Sequence, residues 1–174
     1  MPGDATRPTS DRVRQAIFNM LDTRGEVPER VLDLYAGTGA MALEAISRGA
    51  TRAVLVEVDQ AMCKVIVHNA EMLGFLSQCQ IERAQVLRFL KRPPAATFGW
   101  VFVDPPYQLG AEGELSRALV ALSEAAIVAP AGLVIVEHNF RSPPSENHGT
   151  LTLQTTRRYG QTAVSLLLET RGEP

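Results

Sequence analysis

Cysteine is nearly absent: the chain holds two, Cys63 and Cys79, with no C-x-x-C pair. That count excludes a disulfide framework and a thiolate metal knuckle, and it suits two reduced thiols in a cytoplasmic protein. Histidine is scarce as well. His68, His138 and His148 are scattered and form no ligand set, so no metal is expected. There is no surplus of positive charge: 17 basic residues face 19 acidic ones, for a net charge of −2. A global basic field that gathers nucleic acid is thereby excluded, and a local patch is not. Apolar runs long enough to span a bilayer are lacking. The polar start, MPGDATRPTS, does not read as a secretory signal. Internal repeats and low-complexity tracts are absent, and no linker divides the chain.

What is present is a chain of 174 residues, 45% of them hydrophobic, enough for a single domain with a real core. Apolar runs alternate with helical patterns. RVLDLYAG, RAVLVEVD, CQIERAQV, WVFVDPPY and AGLVIVEHNF read as strands. Between them, GAMALEAISRG, AMCKVIVHNAEMLG, VLRFLKR and GELSRALVALSEAAIV read as helices. This alternation implies a mostly parallel sheet, seven-stranded when LTLQTTRRYGQTAVSLLLE folds back as an antiparallel pair at the C-terminal edge, with helices on both faces. SPPSENHG, residues 142–149, reads as a loop. Ahead of the first strand, SDRVRQAIFNMLD predicts a helix capped by Ser10 or Asp11, with Val13, Ile17, Met20 and Leu21 as its apolar face. The expected division is 1–25 as an N-terminal segment and helix, and 26–174 as a Rossmann-like core.

In DLYAGTGAMALEA, Gly37 and Gly39 fall between a strand and a helix. Glycine permits a tight turn and close approach of a ligand. In open sheets ligands bind at this end of the strands. The next strand ends at Glu57, about twenty residues on, where nucleotide-binding folds place the acid that bonds ribose hydroxyls. The spacing leaves NAD open. Asp33, near the start of the turn, suits a cationic ligand better than a pyrophosphate, and S-adenosylmethionine carries an ammonium and a sulfonium but no phosphate.

The second motif is Asp104-Pro105-Pro106-Tyr107. Proline has no N–H, so this tip offers mainly acceptors. Each proline also holds the residue before it extended. The tip withholds the donors a phosphate needs and suits a group that brings its own N–H, such as the exocyclic amine of a base or an amide. Tyr107 can stack on a flat ring, a contact of about 1–3 kcal/mol for a base.

With these residues the chain resembles class I, S-adenosylmethionine-dependent amino-methyltransferases. More narrowly, RPTSDRVRQAIFNML, VLDLYAGTGAMALEAISRGA, FVDPPY and VIVEH are similar to the bacterial 16S ribosomal RNA guanine-N2 methyltransferase family. The resemblance implies that Asp33, Ala36, Gly37, Thr38 and Gly39 surround the methionine part of the cofactor. Glu57 would hold the ribose and Val58 would pack on the adenine, with Gln85 and Val86 of the third-strand loop nearby. Gln85 stands where the family often has Asp or Asn. Asp104 and the Pro105 carbonyl would bind the target amine, Pro106 would stiffen the tip, and Tyr107 would stack on the guanine. Arg7, Thr9, Asp11, Arg12 and Arg14 would close over the substrate side. The implied partner is ribosomal RNA or an assembling small subunit. Only MPGDAT precedes Arg7, where the family carries a basic hairpin, so weak phosphate binding is expected at this end. Arg157 and Arg158, before Tyr159, are further RNA candidates.

Three rival readings stay open at this point. D-P-P-Y also serves amino-methyltransferases that act on DNA or on a protein glutamine amide. An NAD-linked oxidoreductase is disfavoured by the acceptor edge and by the lack of a catalytic His or Lys constellation. A non-catalytic nucleoside-binding module is opposed by the intact Asp104.

Overall fold

The computed structural model describes residues 8–105 and 113–172, with side chains from residue 11 onward. The chain opens with α1 (Pro8–Asp22), followed by β1 (Arg30–Asp33), α2 (Ala40–Ser47), β2 (Arg52–Glu57) and α3 (Gln60–Met72). Then come β3 (Cys79–Arg83), α4 (Val86–Leu90), β4 (Phe98–Val103), α5 (Glu114–Ala125) and β5 (Val128–Asn139). The last elements are β6 (Asn147–His148), β7 (Leu151–Tyr159) and β8 (Thr162–Glu169). Among the described residues no helix is long and apolar enough to cross a membrane.

One sheet carries the order β3-β2-β1-β4-β5-β8-β7-β6. Its strands from β3 to β5 run parallel, and β8, β7 and β6 add an antiparallel edge. This mostly parallel sheet with an antiparallel C-terminal edge is the arrangement expected from the strand–helix alternation. The chain winds outward from β1 to β3, then returns to lay β4 on the other side of β1. The order therefore reverses between β1 and β4, and the ends of those strands frame a crevice.

The inner parallel strands β1, β2, β4 and β5 are apolar on both faces because both faces are covered, while the edge strand β3 is only partly buried. Phe18, Val31, Leu55, Trp100, Phe102 and Ile135 pack on one side. Leu32, Val56, Val101, Val134, Leu119 and Leu122 pack on the other. All four apolar positions expected on α1, Val13, Ile17, Met20 and Leu21, are buried. Phe18 lies between Trp100 and Phe102, with ring centroids 6.3 and 5.9 Å away. Arg48, just beyond α2, covers Phe18 at 4.7 Å and pairs with Asp22 at the end of α1 at 2.9 Å. Since α2 runs away from the crevice, that bond places the end of α1 at the far edge of the sheet. Its first turns point back toward the crevice, and Arg14 shares a groove there with Thr38 and Asn69.

Three local expectations are corrected. Helix α1 begins at Pro8, so Ser10 and Asp11 lie inside its first turn rather than capping it. Proline, with no N–H to leave unpaired, suits that first position. Asp11 instead pairs with Arg14 at 3.1 Å. The stretch read as a loop, 142–149, contains the two-residue β6, which brings the sheet to eight strands. A strand this short has no periodicity to read. Strand β5 starts three residues before AGLVIVEHNF, across a register shift opposite Phe98 and Trp100 where Ala131 takes φ 57°.

Candidate functional site

The turn after β1 is laid across its neighbours by backbone bonds. Leu34 N–H donates to Phe102 O at 3.0 Å, and Ala36 N–H donates to Val56 O at 3.0 Å. Gly37 and Gly39 take φ of 52° and 80°, in the left-handed region that side chains avoid. The two differ in surroundings. A Cβ on Gly39 would stand 3.1 Å from Leu55 and 3.3 Å from Ile66, so glycine there allows the turn to sit on the core. Gly37 has nothing within 4 Å of that position, and its side of the turn is open. Its N–H donates to Glu57 Oε2 at 2.9 Å, and Asp59 N–H donates to Oε1 at 2.8 Å. Two backbone donors thus fix the Glu57 carboxylate at the end of β2, with lone pairs left over for further donors.

A cleft of about 700 Å³ opens beside this carboxylate, within the range that takes a nucleoside-sized ligand. Gly37, Glu57, Val58, Gln85, Val86, Asp104 and Pro105 are all on its walls. Residues from the ends of β1, β2, β3 and β4 therefore meet, as the sequence predicts. Val58 is 56% exposed, an apolar side chain held open to the cleft rather than packed away.

Asp33, Ala36, Thr38 and Gly39 are not walls of this cleft. Thr38 lies in the neighbouring groove, and its carbonyl accepts from Asn69 Nδ2 at 3.0 Å. Ala36 and Asp33 are buried, Asp33 beneath the turn, where it accepts the N–H groups of Ala42 and Tyr35. Its second oxygen, Oδ2, has no partner among the described residues. Burial, then the charge of Asp104, raise the Asp33 carboxyl from 3.8 to about 7, against the pull of those amides.

At the end of β4, Asp104 is open on its cleft side, yet the protein packed around it desolvates the carboxyl and lifts it to about 6. Glu137, near the end of adjacent β5, is pushed up to about 7 by burial and then by the charge of Asp104. Strand register sets Val103 against Val136, so the two acids follow at matching positions on neighbouring strands. The VIVEH stretch contains Glu137, but nothing in the linear pattern couples it to Asp104. Tyr35 of the DLYAG stretch, Glu114 and Arg117 also line the cleft, and the sequence pattern assigns none of them a role. The Tyr35 hydroxyl donates to Glu114 Oε1 at 3.3 Å across 79 residues of chain, and burial with the Glu114 charge holds the phenol well above its usual range.

On the cleft walls, among the described residues, the carboxylates of Glu57, Asp104 and Glu114 face the single guanidinium of Arg117. Such a surface repels a pyrophosphate and attracts a cation. Among the described residues no cluster of His, Cys, Asp or Glu could hold a metal ion. Arg12 is exposed and Arg14 half-buried in the first turns of α1. Pro106 and Tyr107, and also Arg7 and the Thr9 side chain, lie outside the described residues.

Comparisons with known proteins give the family and the fold. The family described as conserved hypothetical protein 95 matches residues 1–168. Ribosomal RNA small subunit methyltransferase D of Escherichia coli (strain K12) is 32% identical over 168 residues, which cover 96% of this chain and 82% of that protein. A conserved hypothetical protein of Streptococcus pyogenes superposes with a TM-score of 0.80 at 29% identity, over 90% of this chain and 94% of its own. An RNA methyltransferase of Salinibacter ruber, in complex with S-adenosyl-L-homocysteine, shares the fold at 18% identity, with a TM-score of 0.67 over 97% of both chains.

Proposed function

This chain belongs to the conserved hypothetical protein 95 family, and from that premise we propose that it moves the methyl group of S-adenosylmethionine to the exocyclic N2 amine of a guanine in 16S rRNA. The coarse reading, a ribosomal RNA methyltransferase, follows the relatives. The acceptor edge supports an N–H-bearing target such as an exocyclic amine, and the choice of guanine N2 follows the resemblance to the guanine-N2 methyltransferase family. The observation that carries the proposal is the meeting of Glu57 and Asp104 on one acid-lined cleft at the point where strand order reverses.

When bound, S-adenosylmethionine supplies a methyl group made electrophilic by its sulfonium. The cleft fits it: Glu57 is held to accept ribose hydroxyls, while Val58 and Val86 offer apolar walls for the adenine beside Gln85. Buried Asp33, with its spare oxygen, adds negative potential under the turn formed by Ala36, Gly37, Thr38 and Gly39. This acid-rich wall argues against NAD, whose pyrophosphate would meet carboxylates.

Asp104 and the Pro105 carbonyl accept the N–H bonds of the target amine and fix where its lone pair points. Orientation of this kind removes several kcal/mol from a bimolecular barrier. As the N–C bond forms and the S–C bond breaks, the nitrogen becomes positive and its proton more acidic. The carboxylate of Asp104 stabilises that charge. The proton leaves to Asp104, with Glu137 beside it, and then to water. Pro106 and Tyr107 complete the tip, Tyr107 as the stacking face. Arg7, Thr9, Asp11, Arg12 and Arg14 form the substrate-side segment of a single cytoplasmic methyltransferase domain, with residues 26–174 as its core.

The test uses labelled S-adenosylmethionine with small ribosomal subunits and with free 16S rRNA, followed by digestion to nucleosides. N2-methylguanosine is the expected product. Label in another nucleoside, or in protein alone, would overturn the assignment.

A further inference from the structure

The chain leaves β5 at Asn139 and turns through Phe140 and Arg141, and the turn between β7 and β8 lies against it. Phe140 N–H donates to Gln161 O at 3.1 Å, and Arg141 N–H donates to Asn139 Oδ1 at 2.9 Å. Both segments are thereby fixed at the same edge of the sheet as Asp104. Across β5 and β8 to β7 the span is roughly 10–15 Å at ordinary strand spacing.

Arginines crowd this corner. The Arg158 guanidinium stacks on the Phe140 ring at 3.6 Å, and its Nε donates to Gly160 O at 2.7 Å. The Arg141 guanidinium stands 5.4 Å from the same ring. Arg157 is exposed on the next position of β7, and neighbouring side chains on a strand point to opposite faces. None of these arginines has a carboxylate partner within salt-bridge distance among the described residues, whereas Arg14, Arg30 and Arg48 each do.

Two guanidiniums on one ring repel each other, and the chain spends no acid to relieve them despite its surplus of acids. A structural staple for the hairpin requires Arg158 alone. Stacking on an aromatic ring holds a guanidinium plane in place and leaves its N–H fork free, the geometry that binds a phosphate through two parallel hydrogen bonds. We propose that Arg141 and Arg158, gathered around Phe140 where β5 meets the β7–β8 turn, together with Arg157 on the opposite face of β7, form a docking surface along this edge of the sheet for RNA backbone phosphates that flank the target nucleotide. The inference rests on the rRNA methyltransferase reading. It places the RNA on the β5–β7 side of Asp104, opposite the cofactor cleft on the β1–β3 side. It also supplies the local basic patch that a chain of net charge −2 needs to hold a polyanion.

The double variant Arg141→Ala/Arg157→Ala tests this while keeping Arg158, the hairpin staple. Arg30→Ala, at the opposite edge of the sheet, is the control. Affinity for a 16S rRNA fragment is measured against potassium chloride concentration, alongside methyl-transfer kinetics and S-adenosylmethionine binding. The double variant is expected to show a KM for RNA raised tenfold or more. Its kcat at saturating RNA and its cofactor affinity should match the wild type. The slope of log affinity against log salt should become shallower by about 0.7–0.9 for each phosphate that the variant no longer neutralises. An unchanged slope and KM, with wild-type methylation intact, overturns the docking surface and leaves the proposed function standing. Failure of the wild-type protein to methylate rRNA overturns the proposed function and the inference with it.

Discussion

A carboxyl group that faces another carboxyl keeps its proton to higher pH, and Asp104 and Glu137 are so placed at the ends of neighbouring strands. As an acceptor for an amine, Asp104 must be ionised, and its raised position near 6 sets the acid limb of the rate. Asp104 ionises before Glu137, so Glu137→Gln takes away no charge while Asp104 loses its proton. The acid limb of kcat/KM should therefore stay near pH 6 in a pH–rate profile of Glu137→Gln. A limb that moves to lower pH would mean that Glu137, rather than burial, holds the proton on Asp104. Asp33 makes a different prediction. Its carboxyl rises from 3.8 in the ordinary case to about 7 in the fold. Between those values the folded protein keeps a proton that the unfolded chain releases, so stability falls as pH rises through the window. Asp33→Asn cannot ionise and keeps one acceptor oxygen for the amides of Tyr35 and Ala42. The melting-temperature difference in favour of Asn should grow from about pH 5 to about pH 8.

Among the elements, the turn after β1 separates two uses of glycine that look alike in the sequence. Gly39→Ala places a methyl group 3.1 Å from Leu55 in addition to the left-handed strain, while Gly37→Ala meets only the strain. Left-handed backbone costs an alanine roughly 1–2 kcal/mol. Gly37→Ala should lose about that much in chemical denaturation, and Gly39→Ala visibly more; equal losses would mean that Leu55 and Ile66 yield freely. The helices and parallel strands were legible because their apolar periods are long and unbroken. Glu57 was legible because a fixed distance along the chain separates it from the glycine turn. Strand β6 was not, since two residues carry no period. Nor was the capping of α1, because Asp11 is drawn to Arg14 instead. Tyr35, Glu114 and Glu137 escaped for a common reason: each gains its meaning from a residue far away in sequence, as in the bond from Tyr35 to Glu114 across 79 residues. Cys63 and Cys79 are free and half-buried, with no disulfide between them.

At the scale of the whole molecule, charge is sorted along one edge of the sheet. Acids gather from β1 to β5, and unpaired arginines stand beyond them at the turn joining β7 and β8. Such sorting leaves a net charge near zero and still offers each ligand a surface of opposite sign. The row formed by Asp33, Asp104 and Glu137 has a thermodynamic corollary. With carboxyls lifted to between about 6 and about 7, the free protein carries bound protons in neutral solution. A cationic occupant favours the ionised carboxylates and drives those protons off. Binding of S-adenosylmethionine should therefore acidify its surroundings. Titration calorimetry in phosphate and in Tris, whose ionisation enthalpies differ widely, should return different heats near pH 7, with the sign of proton release. The difference should vanish near pH 9, where the acids are already ionised. Equal heats in both buffers near pH 7 would mean that these carboxyls keep their protons when the cofactor arrives.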